Sequence, residues 1–149
     1  MPLFHRPETI ARDYFATYFA GRRVEFQHNK TIAGTWFRPD FLFTIDDNST
    51  AVVAECDEEY HKSYNKSDEI YREHYIAQRL ASMGYNSIYI LRFTPHFTHA
   101  PRTGIVTRDA STYLERVANT ITNLLDHRPI RDVGVHIDDR RRLFTKLNM

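Results

Sequence analysis

The stretch that decides the fold runs from Arg38 to His61 and reads RPDFLFTIDDNSTAVVAECDEEYH. Two apolar runs, Phe41–Ile45 and 51–54, have the length and composition of β-strands. The polar segment 46–50 between them is rich in Asp, Asn and Ser, which favour tight turns. The pattern therefore predicts a β-hairpin, and the rest of the chain is arranged around it.

Acidic side chains lie at the ends of these two predicted strands. Asp40 opens the first strand, Glu55 and Asp57 close the second, and His61 follows four residues later. Residues two apart on a strand share a face, and an unpaired carboxylate at the end of a buried strand carries a large desolvation cost. Three acids and an imidazole at one sheet edge therefore predict a metal ion and hydrolytic chemistry.

The predicted metal is Mg²⁺, with Mn²⁺ as the alternative. Mg²⁺ binds one or two carboxylates together with waters and phosphate oxygens, and Asp40 and Glu55 on neighbouring strands can supply the carboxylates. The backbone carbonyl of Cys56 could point between them. Asp57 could hold the ion directly, hold it through water, or hold a second ion.

Basic and titratable side chains near the acids are candidates for the remaining roles. His61 suits a general base, because its unperturbed pKa lies near neutral pH. Lys62 and Lys66 could hold the scissile phosphate. The candidate nucleic-acid contacts are Arg38, Lys66, Arg72, Arg140, Arg141 and Arg142.

Each of these residues also has an ordinary structural interpretation. Glu55 could form an ion pair with Arg38 or Arg92, and a histidine such as His61 often lies on a surface. Arg72 could face the acidic site, although solvent exposure is the simpler interpretation for it, as it is for the basic run 140–142. The combined order of P-D, E-x-D and a later histidine is much less common by chance, which favours the catalytic interpretation.

The segments on either side of the hairpin predict a mixed α/β arrangement. Helical periodicity and end signals predict three helices, the third capped by Ser111, and the second with Ile76, Leu80 and Met83 as its buried stripe. The predicted helices are 7–20, 67–83 and 111–126, and the predicted strands outside the hairpin are 24–30, 86–94 and 133–137. The first three strands should be antiparallel, and the strand after the crossover helix parallel to its neighbour.

Length and composition limit the class of protein. The 149 residues predict one domain, with a core over about 7–95 and a C-terminal helix and basic tail over 109–149. The net charge of +1 gives no global field that would attract nucleic acid. A single cysteine excludes an internal disulfide, and neither a signal peptide nor a bilayer-spanning run is present. The expected protein is soluble and intracellular, in a bacterial or phage cytoplasm or a virus-infected cell.

The order P-D, E-x-D-x-x-x-H resembles the PD-(D/E)XK nuclease superfamily. The most similar branch contains very-short-patch-repair endonucleases and related restriction-like proteins of bacteria and large DNA viruses, and the resemblance covers about 7–94. It implies a restriction-endonuclease-like α-β-β-β-α-β core, with a mixed central sheet flanked by helices. It also implies Asp40 and Glu55 as metal ligands and His61 as base or phosphate contact. Asp57 replaces the lysine of the superfamily name, which leaves His61 or Lys62 to activate the nucleophile.

The leading hypothesis is a metal-dependent endonuclease that hydrolyses phosphodiester bonds in DNA. The alternatives are a non-catalytic nucleic-acid-binding or assembly module on the same fold, since fold does not fix function, and an RNA endonuclease. DNA is therefore the first expected partner and RNA the second, with no membrane. The sequence leaves open whether the chain forms a homodimer.

Overall fold

The computed structural model describes residues 7–45, 50–56, 66–94, 108–128, 135–138 and 142–148. This part of the chain is a mixed α/β fold of three helices and six strands. In chain order the elements are α1 Pro7–Tyr18, β1 Val24–His28, β2 Phe41–Ile45, β3 Thr50–Cys56, α2 Lys66–Ser82, β4 Ser87–Thr94, α3 Arg108–Leu125, β5 Val135–Asp138 and β6 Arg142–Asn148.

The six strands form one mixed sheet in the order β1-β2-β3-β4-β6-β5. β1 pairs with β2 and β2 pairs with β3, both antiparallel, as predicted for the first three strands. β4 pairs in parallel with β3, which confirms the predicted crossover through α2. β6 is parallel to β4 and antiparallel to β5. The predicted sequence of helix, three strands, helix and strand is the order of the first six elements.

The hairpin forms because its residues suit both faces of a covered sheet. In β2 the side chains of Phe41 and Phe43 face one core, whereas Leu42 packs against the other. β3 is buried along its whole length, as expected for a central strand with both faces covered. One core lies under α1 and α3, and the second lies under α2.

The helix predictions are confirmed for most apolar positions and wrong at two places. Met83 is 46% exposed rather than buried, because α2 ends at Ser82 and the chain turns away at Gly84, which has φ +106°. Ser111 lies inside the first turn of α3 instead of capping it, because the helix begins at Arg108. The apolar stripe of that helix already starts upstream of Ser111, at Ala110, which is 2% exposed.

The C-terminal region contains a strand that the sequence analysis treated as part of a basic tail. β6 begins at Arg142, the last residue of the basic run, and pairs with β4 from Ile88 opposite Arg142 to Thr94 opposite Asn148. The segment 143–147 contains Phe144 and Thr145, residue types that favour strands. β6 therefore lies inside the sheet, between β4 and β5.

None of the helices in the described ranges combines the length and the apolar composition that crossing a membrane requires.

Candidate functional site

The first feature of the site is the end of the β2–β3 ladder. The last backbone pair of this ladder is Phe41 opposite Ala54, so Asp40 lies opposite Glu55 at the next position. At this position, side-chain carboxylates take the place of backbone carbonyls as acceptors of the backbone N–H groups. The N–H of Asp40 donates to Oε2 of Glu55 at 3.1 Å, and the N–H of Cys56 donates to Oδ2 of Asp40 at 2.8 Å. These reciprocal bonds fix both acids at one end of the hairpin.

The backbone of Asp40 is also held by a hydrogen bond from the end of β1. Pro39 precedes it and has no N–H to continue the ladder. The carbonyl of Asp40 accepts from the N–H of Asn29 at 2.9 Å, which joins it to the end of β1. Asn29 itself has φ +55° and lets the chain leave the strand. The position of the Asp40 carboxyl is therefore set by two strands.

Arg72 of α2 contacts the same site. Its Nη1 donates to Oε1 of Glu55 at 2.5 Å, and its Nη2 donates to the carbonyl of Arg38 at 3.1 Å. The Glu55 side chain is only 6% exposed, whereas that of Arg72 is 31% exposed. The positive charge of Arg72 thus lies next to Glu55, between it and solvent. The structural interpretation of the sequence paired Glu55 with Arg38 or Arg92, and that choice of partner is wrong.

The surroundings of Asp40 raise the pKa of its carboxyl group. Burial, then the negative charges of Glu55 and Glu8, raise the pKa of Asp40 to about 9, and the bond from the Cys56 N–H only partly opposes this. A hydrogen bond between the Asp40 and Glu55 carboxyls acts in the same direction as the burial. Asp40 therefore holds a proton at neutral pH, which it can donate to Glu55.

Glu8 of α1 is a neighbour that the sequence analysis missed. Its Oε2 lies 2.8 Å from Nε2 of His28, and the ring of His28 packs 4.9 Å from that of Phe41, the residue after Asp40. This packing brings a third carboxylate near enough to raise the pKa of Asp40. Sequence alone gave no signal, because an acid in a first helical turn is ordinarily explained by the helix dipole.

A second ion pair lies beside the first, on the same face of the sheet. Nε of Arg92 donates to Oε1 of Glu73 at 2.6 Å, and Glu73 is 8% exposed. Arg92 is the residue of β4 that pairs with Glu55 in the parallel register. The carboxyl ends of β3 and β4 therefore carry a charged cluster facing α2, at the edge where open α/β sheets commonly bind ligands.

The donor set at this edge is compatible with a hard divalent cation. Asp40 and Glu55 present carboxylate oxygens from neighbouring strands, and their mutual repulsion is what a cation between them would offset. Within the described ranges, no group of three His, Cys, Asp or Glu side chains is placed to hold a metal ion. Two carboxylates suffice for Mg²⁺ when waters and phosphate oxygens complete the shell.

The other predicted site residues fall into three groups. Cys56 is buried and its thiol side faces the core under α1 and α3, so only its backbone adjoins the acids. Lys66 begins α2 and Arg142 begins β6, but their side chains are outside the described part. The remaining candidates lie wholly outside the described residues, namely Asp57, His61, Lys62, Arg140 and Arg141. Their predicted roles stay predictions.

Comparisons with known proteins place few constraints on the chain. No family model matches it, and no curated protein matches it. A chain in the solved structure titled "Refined half-complex from tetradecameric assembly of Thermococcus gammatolerans McrB AAA+ hexamers with bound McrC" is similar to it, with a TM-score of 0.46 and 11% sequence identity. The match covers 95% of this chain and 27% of that chain. A similarity of this degree assigns neither a family nor a function.

Proposed function

We propose that this chain is a metal-dependent endonuclease that hydrolyses phosphodiester bonds in DNA, on a restriction-endonuclease-like core. The observation that carries the proposal is the pairing of Asp40 and Glu55 at the end of the β2–β3 ladder, each fixed by a backbone N–H. Their motif resembles that of the PD-(D/E)XK nucleases, and the order of elements around it agrees with the core that the resemblance implies.

Asp40 and Glu55 are the residues that would hold Mg²⁺ or Mn²⁺, with Asp57 and the Cys56 carbonyl as further donors. A bound divalent cation supplies charge neutralisation at a phosphate oxygen and a water of lowered pKa. The protein keeps the two carboxylates at a fixed separation through backbone hydrogen bonds, so that little reorganisation is needed. His61 accepts the proton of the attacking water in this proposal, with Lys62 as the substitute.

Basic residues provide the contacts to the substrate backbone in the same proposal. Arg38 is exposed beside the acids, and Lys66 is placed there by sequence alone. Arg142 pairs with Ile88 near the start of β4, whereas Glu55 pairs with Arg92 near its end, so the run 140–142 would contact the substrate backbone away from the acids. Arg72 has a different role from these substrate contacts, since its guanidinium already binds Glu55 and the Arg38 carbonyl. It orients Glu55 and balances its charge.

One observation favours the non-catalytic alternative. Because Arg72 pairs with Glu55, the charge of Glu55 is already compensated without any metal. A binding or assembly module could keep this ion pair for stability alone. The two functions differ in whether Glu55 is required for bond cleavage, and that difference is directly measurable.

The test is a nicking assay on supercoiled plasmid, branched DNA and RNA, with Mg²⁺ or Mn²⁺ added to the metal-free protein. We expect metal-dependent cleavage of DNA that Glu55→Ala abolishes. His61→Ala should lower the rate by roughly 10²- to 10⁴-fold, the usual contribution of a general base. The matched control is Glu25→Gln, which changes an exposed acid of β1 and should leave cleavage unchanged.

Two results would contradict the proposal. Cleavage that survives Glu55→Ala would show that a contaminant or another site performs the chemistry. The absence of cleavage on all substrates, combined with retained nucleic-acid binding, would establish the binding module instead. Cleavage of RNA alone would keep the mechanism and change the substrate.

A further inference from the structure

An exposed aromatic surface adjoins the Asp40–Glu55 site. It consists of Trp36 and Phe37 from the segment between β1 and β2, and Tyr71 and Tyr75 from α2, and is called here the aromatic surface. Phe37 is half-buried against the core under α2, and the other three side chains are exposed. Trp36 is 97% exposed, Tyr71 62% and Tyr75 39%. In the described part of the chain the remaining exposed large apolar side chain is Met83. Three of the four exposed large apolar side chains in the described part of the chain are thus aromatic.

The rings of this surface are held by one another. The ring centroids of Tyr71 and Tyr75 are 4.5 Å apart, and the hydroxyl of Tyr71 donates to that of Tyr75 at 2.8 Å. Phe37 stacks on Tyr75 with centroids 6.0 Å apart and an interplanar angle of 28°. Three rings therefore form a continuous unit, with Trp36 next to it along the chain.

The segment that carries Trp36 is ordered by its own hydrogen bonds. The N–H of Thr35 and the Oγ1 of Thr35 both donate to the carbonyl of Ile32, at 3.0 and 2.8 Å. The N–H of Ile32 donates to the carbonyl of Phe37 at 2.9 Å. Arg79 of α2 donates to the carbonyl of Ala33 at 2.7 Å. The turn is therefore preformed, and it presents an indole to solvent that contributes almost no burial energy to the fold.

The aromatic surface is joined to the candidate site through α2. Arg72 follows Tyr71 directly and binds Glu55, and it also binds the carbonyl of Arg38, two residues after Trp36. The segment 29–39 contains Lys30 and Arg38 and no acid. Flat aromatic faces with basic neighbours suit a nucleic-acid strand, since bases stack on the rings and phosphates meet the cations.

We propose that the aromatic surface binds unpaired nucleotides of a nucleic-acid substrate beside the Asp40–Glu55 site, a placement that rests on the proposed endonuclease function. In an intact duplex both faces of each base are covered by neighbouring bases, so a side chain on the protein surface has no face to stack on. Unpaired bases in single-stranded, frayed or branched segments leave these faces open. The chain thereby selects substrates with unpaired nucleotides next to the point of cleavage.

Trp36 is the only tryptophan of the chain, so its fluorescence reports on the aromatic surface directly. The experiment titrates the whole metal-free protein with a mixed-sequence single-stranded oligonucleotide, and separately with the blunt duplex of the same sequence. We expect the single strand to quench Trp36 emission, because a stacked base accepts an electron from the excited indole. The blunt duplex should quench much less at the same bound fraction.

The affinity of each variant for the labelled single strand is measured by fluorescence anisotropy. Trp36→Ala should weaken single-strand binding by roughly five- to hundredfold, the effect of losing one stacked base. Trp36→Phe should keep most of the affinity, since it retains an aromatic face. The matched control is Met83→Ala, which removes an exposed apolar side chain just past the end of α2. It should bind the single strand as the wild type does.

Three results would overturn the inference. They are equal single-strand affinity in Trp36→Ala and wild type, equal quenching by the duplex and the single strand, and a shift of Trp36 emission with protein concentration in the absence of nucleic acid. The last would show that the aromatic surface joins two copies of the chain.

The failure of this inference is distinguishable from failure of the proposed function. Binding is measured without metal, so it does not depend on cleavage. Cleavage that needs Glu55, combined with no effect of Trp36→Ala, would leave the endonuclease and remove the aromatic contact. Trp36-dependent binding without any cleavage would support the aromatic contact and contradict the endonuclease function.

Discussion

At the scale of single residues, an ionised Asp40 lowers the stability of the metal-free fold. It is partly buried beside Glu55 and Glu8, and both the burial and these charges raise its pKa. The ionised form is therefore disfavoured in the metal-free fold, and an amide at this position would avoid the repulsion. A bound divalent cation would reverse this balance, because its own charge dominates the local electrostatics.

The first prediction concerns Asp40→Asn. Because the pKa of Asp40 in the folded protein is raised from 3.8 to about 9, the native state binds this proton more tightly than the unfolded state does. The free energy of unfolding should then be highest below about pH 4 and fall as the pH rises toward 9. Asp40→Asn should remove this decline, and be more stable than the metal-free wild type at pH 8 by at least about 1 kcal/mol.

Urea unfolding of the metal-free protein across this pH range measures the effect, and added Mg²⁺ should stabilise the wild type but not Asp40→Asn. The control is Asp13→Asn, which changes an exposed acid of α1 and should leave the pH dependence intact. An unchanged Mg²⁺ response in Asp40→Asn would argue against Asp40 as a ligand.

The second prediction concerns Gly34, in the turn that presents Trp36. Gly34 has φ +79°, and a Cβ built there would lie 3.0 Å from Nη2 of Arg79, whose Nε binds the Ala33 carbonyl. Gly34→Ala should therefore cost about 1–2 kcal/mol of backbone strain and a further ~1 kcal/mol from the disturbed hydrogen bond. Gly21→Ala is the control, because Gly21 has φ +72° but open space around it. Equal losses of unfolding free energy in the two variants would show that Arg79 simply moves aside.

At the scale of elements, the hairpin and its register could be predicted from sequence. Alternating apolar residues and a polar turn are local signals, and the acids at the two strand ends then fall opposite each other by the geometry of an antiparallel pair. The parallel pairing of β4 with β3 followed from the crossover length, since a parallel neighbour needs a helix between the strands.

Other features could not be predicted, because they depend on packing between distant elements. The strand β6 begins in a basic run that reads as a solvated tail, and its place next to β4 is a long-range pairing. The contact of Arg72 with Glu55 depends on how α2 is rotated over the sheet, which apolar periodicity fixes only within a residue or so. Glu8 reaches the site only because α1 packs across β1 and β2.

The third prediction belongs to α2 and its contact with the sheet. Arg72→Ala leaves the Glu55 carboxyl buried with the N–H and the protonated carboxyl of Asp40 as its remaining described donors, so the metal-free protein should lose about 1–3 kcal/mol of stability. Mg²⁺ should recover part of this loss if it takes over as the counter-charge of Glu55. Arg79→Ala serves as the control, since Arg79 is on the same helix but binds a loop carbonyl. The measurement is thermal unfolding of both variants with and without Mg²⁺. Equal stabilisation of Arg72→Ala and Arg79→Ala by Mg²⁺ would contradict a site at which Arg72 and the metal both neutralise Glu55.

At the scale of the whole molecule, charge is nearly balanced. With 20 basic and 19 acidic residues, a long-range field cannot guide the chain to nucleic acid, so attraction must come from local groups. Asp40, Glu55 and Glu73 lie at one edge of the sheet, and the neighbouring segment 29–39 contains Lys30 and Arg38 but no acid. The run 140–142 is the densest basic segment of the sequence, and it immediately precedes or opens β6, two strands away from β3 in the sheet.

The last prediction tests whether this basic run contacts phosphates. Each phosphate neutralised by a protein cation releases condensed counterions, so the logarithm of the binding constant falls with the logarithm of salt concentration by about 0.9 per contact on duplex DNA. Replacing Arg140, Arg141 and Arg142 together by Ala should therefore flatten the slope by up to about 2.7 and weaken binding uniformly across sequences. The control is Arg22→Ala, because Arg22 is engaged by the Tyr18 carbonyl and ring at the end of α1 and should leave the slope unchanged. Binding isotherms of labelled duplex without divalent metal, at several salt concentrations, give the slopes. An unchanged slope in the triple variant would mean that the run faces solvent and that the phosphate contacts come from elsewhere in the chain.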